Sequence, residues 1–163
     1  MGQAIQTCIS EGVVRREDLF VVTKIWHTQY KDPEGALRLS LQKLQLEYAD
    51  VYLIHWPFNG LTSPKVPLHV LWPKMEALQR KGMTRAVGVS NFNVQLLADL
   101  LTYCTIKPVC NQIEIHPRNA RPELVRFLDD MGIVPVAYSP IGRLGQSFSV
   151  SNIIDDPIIL SMA

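Results

Sequence analysis

The chain is short of several features that mark particular classes of protein. It has three cysteines in 163 residues, Cys8, Cys104 and Cys110. That odd, loosely spaced set excludes a disulfide framework and a zinc pattern, and it suits a reducing compartment. Charge of one sign is also missing: 16 Lys and Arg against 15 Asp and Glu leave a formal charge of +1. A nucleic-acid binder or a polybasic membrane segment would need clustered excess charge. No apolar run approaches the roughly 20 residues of a membrane span. The first residues, MGQAIQTCISEGVVRRED, lack the basic start and apolar block of a secretory leader. The cytoplasm is therefore the default location. No G-x-G-x-x-G follows any apolar run, which argues against a dinucleotide fold of the doubly wound kind. The four histidines, His27, His55, His69 and His116, show neither H-x-H nor H-x-x-x-H spacing, so no metal site is expected.

What is present is a repeat of alternating character. Five β-branched runs stand out, at Leu19–Thr23, Val51–Ile54, Ala86–Val89, Val109–Ile115 and Ile133–Ala137. Their length suits strands, and their near-continuous apolarity suits parallel strands covered on both faces. Helical patterns separate them. One opens at Pro33 behind the candidate cap Asp32, and a second covers Leu71–Lys81 with Gly82 as its stop. A third follows Asn91 or Asn93, and a fourth runs from Arg121-Pro122 to Met131 with Gly132 closing it. Starts near 19, 51, 86, 109 and 133 are 32, 35, 23 and 24 residues apart, the length of a βα unit. The alternation predicts one α/β domain over residues 1–163 with parallel strands and right-handed crossovers. A doubly wound sheet and part of a (β/α)8 barrel both fit.

Polar groups collect at the same end of the five strands: Lys24 and Trp26, His55 and Trp56, Ser90 and Asn91, Asn111 and Gln112, Tyr138 and Ser139. In a barrel that end carries the active site. Each residue alone has a plainer reading. Lys24 can be a solvated strand exit, His55 a core histidine and Ser90-Asn91 a helix cap. Gln112 can bond within a barrel core, and Tyr138 and the tryptophans can be packing. The joint placement is what points to a site.

Five segments carry a resemblance: DLFVVTKIW (18–26), DVYLIHWP (50–57), RAVGVSNF (85–92), NQIEIHP (111–117) and PVAYSPIG (135–142). In order and spacing they resemble the aldo-keto reductase superfamily, nearer the aldose and aldehyde reductase type. The resemblance implies a partial (β/α)8 barrel and NADP(H)-dependent reduction of an aldehyde or ketone. It implies Lys24 and His55 as catalytic residues, the first to lower the pKa of an acid Tyr, the second to orient the carbonyl oxygen. Trp26 and Trp56 match walls of the substrate pocket. Ser90, Asn91 and Gln112 match residues that bond the nicotinamide carboxamide, Tyr138 the aromatic that stacks on its ring, and Ser139 the start of the pyrophosphate contacts. Arg143 stands where the family often has a small residue.

The same resemblance carries an expectation about extent. In the family the catalytic Asp and Tyr lie just before a helix with a G-x-A-I pattern, and Gly2-Gln3-Ala4-Ile5 resembles that helix. The acid pair would then fall before residue 1, and the last strand with its 2′-phosphate loop after residue 163. The chain is expected to be truncated at both ends, an open arc of five strands. Its exposed edges would suit a protein partner or self-association. The alternative reading is a non-catalytic truncated paralogue that acts as a binding or structural subunit.

Overall fold

The computed structural model describes residues 1–58, 65–142 and 153–162; Arg143 lies outside the described residues. The β-branched runs pair side by side in chain order. They form one parallel sheet of β1 (Val22–Ile25), β2 (Ala49–Ile54), β3 (Thr84–Ser90), β4 (Cys110–Glu114) and β5 (Val134–Tyr138). Helices α1 (Gly2–Ser10), α2 (Pro33–Leu44), α3 (Leu68–Arg80), α4 (Val94–Tyr103), α5 (Pro122–Asp130) and the short α6 (Pro157–Leu160) complete the described fold. Of the two architectures open to the sequence, this is the partial α/β barrel. Among the described residues β1 and β5 are its edges.

Alternation along the strands divides the interior into two layers. Tyr52 and Ile54, Val87 and Val89, and Ile113 meet the apolar faces of the helices in the main core, with Leu37, Trp72, Met75 and Leu97. Val51, Leu53 and Cys110 form a separate cluster, with Ala86 and Val136 packed on it. β2 contributes to both layers and is buried at all six positions. Gly88 makes the second cluster possible. A Cβ there would lie 2.7 Å from Leu53 Cδ2 and 2.9 Å from the Cys110 carbonyl oxygen. A second close approach explains Gly2, whose Cβ would strike the Lys43 carbonyl oxygen at the end of α2.

Boundaries depart from the sequence pattern where hydrogen bonds decide them. β1 starts at Val22, three residues later than the apolar run. Before it the chain turns through Arg16–Asp18, and the Leu19 N–H donates to the Arg16 carbonyl. The run's Phe20 stays 74% exposed. Lys24 therefore lies within β1, opposite Leu53, and not at the strand exit. α3 begins at Leu68, a turn earlier than its apolar face. The cap of α4 is Asn93, whose Oδ1 accepts from Leu96 N–H at 2.9 Å, and Asn91 is used elsewhere.

A charge cluster fastens the end of the sheet opposite the site. Asp50 is 2% exposed in β2. Its carboxylate accepts from Val21 N–H at 2.8 Å and Arg16 Nη2 at 2.9 Å, and Arg85 Nη1 lies 3.4 Å away. Both guanidinium groups sit over the Tyr48 ring, 3.9 and 4.4 Å from its centroid. One carboxylate thus ties the lead-in of β1, β2 and β3 together. Asp50→Ala removes the acceptor and leaves a half-buried Arg16 without its counter-charge. The expected loss is about 3 kcal/mol of unfolding free energy, read by urea denaturation.

Candidate functional site

The strand C-terminal ends bring the singled-out residues together on one rim. His55 leaves β2 with both backbone polar groups held. Its N–H donates to the Ile25 carbonyl at 3.2 Å, and its carbonyl accepts from Asn91 Nδ2 at 2.9 Å. Its ring makes an edge contact with Trp26 at 4.8 Å between centroids and stacks near Trp56 at 6.1 Å. The Tyr30 hydroxyl donates to the Trp56 carbonyl and fixes that wall from behind. Trp26 keeps 43% of its surface exposed, whereas Trp72 is fully buried, so the tryptophans divide into rim and core.

Beside this aromatic pair the Lys24 ammonium makes no hydrogen bond or ion pair with another described residue. Burial lowers its pKa, and the nearby Cys110 acts the other way. Burial in turn raises the Cys110 thiol to about 11, opposed by Lys24. The His55 imidazole is held below its ordinary pKa by burial first, then by the Lys24 ammonium and the neighbouring His27. A neutral imidazole and an ammonium with no anionic partner among the described residues therefore share one site. Such donors favour negative charge that develops on an oxygen between them.

The rest of the rim is a hydrogen-bonded knot. Asn91 has a left-handed backbone, φ 63°, which Asn tolerates better than most side chains. Its N–H donates to the Gln112 carbonyl at 3.0 Å. Asn91 Nδ2 donates to the His55 carbonyl and, at 3.1 Å, to Ser90 Oγ. Its Oδ1 accepts from the Tyr138 hydroxyl at 2.8 Å. Ser90 Oγ donates onward to the Gln112 carbonyl at 2.7 Å. The Gln112 side-chain amide bonds to no other described residue. Asn111, one position earlier on β4, belongs to the opposite face and clamps the Phe92 backbone, accepting from its N–H and donating to its carbonyl. Ser139 follows Tyr138 with a left-handed backbone, φ 50°.

Three contributors were not singled out by sequence: His27 and Cys110, which lie close enough to influence His55 and Lys24, and Tyr30 behind Trp56. His27 had a signal, as the other titratable side chain in the turn after Lys24. Cys110 had none, because only strand pairing brings it to the layer of Lys24.

Residues 1–153 match the Aldo/keto reductase family. The chain belongs to this family. It is 40% identical to aldose reductase B of Dictyostelium discoideum over 88% of this chain and 53% of that protein. It is 37% identical to aldo-keto reductase family 1 member A1 of Gallus gallus over 98% and 53%. The structure of a Bombyx mori aldo-keto reductase in complex with NADP superposes with a TM-score of 0.89 at 38% identity, covering 99% of this chain and 55% of that one. A second Bombyx mori aldo-keto reductase, complexed with NADPH, gives 0.89 at 37%. The chain thus spans about half the length of the aldo-keto reductases it matches. Among the described residues, no helix is long and apolar enough to cross a membrane.

The electrostatics of the aldo-keto reductase rim give a direct test. In an NMR titration of the imidazole, the His55 midpoint is expected below the ordinary histidine value of about 6.5. Lys24→Met removes the ammonium that opposes protonation and is expected to move the midpoint upward.

Proposed function

We propose that residues 1–163, read as one domain, supply the Lys–His pair and the nicotinamide ledge of an NADP(H)-dependent aldehyde or ketone reductase. The observation that carries this reading is the convergence of Lys24, within β1, with Trp26, His55 and Trp56 just beyond the ends of β1 and β2. Lys24 is an ammonium with no hydrogen-bond or ion-pair partner among the described residues, and the His55 imidazole is held below its ordinary pKa. The nicotinamide half of the cofactor fits the residues present: Gln112 offers an amide that bonds to no other described residue, Tyr138 a ring, and Ser139 follows it in the chain. NADPH, when bound, supplies hydride equivalents to a carbonyl carbon.

Around such a carbonyl the chain's own residues have separate tasks. His55 donates a hydrogen bond to the carbonyl oxygen and gains strength as negative charge develops there. Lys24 stabilises the anionic form of a neighbouring proton donor and lowers its pKa. Trp26 and Trp56 wall the substrate and exclude water. None of the tyrosine hydroxyls described hydrogen-bonds to Lys24. Tyr30 bonds to the Trp56 carbonyl, Tyr52 to the Pro33 carbonyl, Tyr138 to Asn91, and Tyr48 accepts from Arg85 at the far end of the sheet. The proton donor in a reductase would be the Tyr implied by the family resemblance, which matches none of these positions.

The second reading, a non-catalytic binding or structural subunit, has its own observation. Val22 on edge strand β1 is 40% exposed and Val134 on edge strand β5 is 59% exposed. A partner or a second copy could cover them.

The deciding experiment is an NADPH titration followed by protein fluorescence, with Trp26 and Trp56 as reporters, and then turnover of a reactive aldehyde. Saturable binding is expected. Turnover is expected to fall about 10²-fold or more in Lys24→Met, the scale of a lost acid–base contribution. A folded protein without saturable NADPH binding would favour the subunit reading.

A further inference from the structure

The bonding of Asn91 leaves its donors spent, and this changes what Tyr138 does. A carbonyl oxygen can only accept, so the contact with the His55 carbonyl fixes which side of the Asn91 amide is nitrogen. Its two N–H groups are then committed, one to His55 and one to Ser90 Oγ. Ser90 can accept from Asn91 because its own proton goes to the Gln112 carbonyl. The remaining polar atom of the Asn91 side chain, Oδ1, takes the proton of the Tyr138 hydroxyl at 2.8 Å. The donors and acceptors close without conflict from β5 through Asn91 and Ser90 to the residue that follows β2. The His55 backbone is the end of that chain, because its other polar group is already held by Ile25.

We propose that the Tyr138 hydroxyl is a positioning group for His55: through Asn91 it locks the His55 backbone, so that the rings of Tyr138 and His55 are held as one unit across three strands. The inference rests on the reductase reading for its purpose and on the hydrogen bonds alone for its existence. Its consequence is that Asn91 serves as a tie within the protein, linking the Tyr138 hydroxyl to the His55 carbonyl. The residue whose ring would stack on the nicotinamide in the reductase reading would thereby also set the geometry of the residue that would orient the carbonyl. Simple stacking would need only the ring.

Tyr138→Phe keeps the ring and removes the hydroxyl, and the two roles separate on it. In the full chain, the Asn91 side-chain N–H groups should exchange with solvent about fivefold faster, the scale of one hydrogen bond. The His55 imidazole resonances should shift. Asn91→Asp can still accept from Tyr138 but cannot donate to the His55 carbonyl. It should shift His55 in the same sense, and the double variant should add little to either change. In turnover, Tyr138→Phe should lower kcat about fivefold with NADPH affinity within about twofold. His55 resonances and Asn91 exchange unchanged in Tyr138→Phe would overturn the proposal. So would strictly additive effects in the double variant. A wild-type protein that binds no NADPH would remove the reductase reading, and the resonance comparison would still decide the tie.

Discussion

A parallel sheet stops making ladder bonds where its strands end, and that is where this chain places its chemistry. The constraint on the site is therefore what replaces the ladder beyond the last paired residues. Asn91 does so. In the left-handed region its backbone folds back onto the Gln112 carbonyl, and its side chain reaches β5 on one side and the residue after β2 on the other. A side chain without both donor and acceptor could not satisfy a carbonyl and a hydroxyl at once. The far end of the sheet has a matching device with different chemistry. There Asp50 gathers a backbone N–H and two guanidinium groups. Between these fastenings the strands are held by their backbone ladder and by packing.

The packing also sets the electrostatics. Gly88 opens a gap on β3 that lets Leu53 and Cys110 come together, and they close the inner layer near Lys24. Less water around the ammonium lowers its pKa, and the same dryness strengthens the field it exerts on His55. The absence of a side chain at one position thus bears on two titratable residues on neighbouring strands. Replacing Gly88 by any larger residue would push Leu53 or the β4 backbone away before it touched the site itself.

How far the sequence revealed this differs by level. The five strands and the intervening helices were legible, because β-branched runs and caps are local signals. Asp32 caps α2 by accepting from the Gly35 N–H, in keeping with the pattern. The start of β1 was not legible, since it is set by a turn whose hydrogen bonds interrupt an apolar run. Nor was the choice between Asn91 and Asn93 as the cap of α4, since both are Asn before a helix and only geometry separates them. Lys24, His55, Trp26, Trp56, Gln112 and Tyr138 were named from motif position and do meet on one rim. Their bonding was not readable, because the partners of Asn91 lie 36 and 47 residues away along the chain.

β5 carries one more consequence. Pro135 sits in its middle, opposite Asn111. Neighbouring Val134 directs its N–H at β4, onto the Val109 carbonyl. Successive residues of a strand point their N–H groups to opposite sides, so the Pro135 nitrogen faces the outer edge, where a proline has no hydrogen to offer. Within β5 that leaves Ala137 as the outward donor between the ends of the strand. Among the described residues no strand pairs with that side, and an extended chain laid along it would find a template with a missing rung, which discourages the edge-to-edge growth that leads to fibrils. The strand can accept a neighbour built to its particular register while resisting indiscriminate ones.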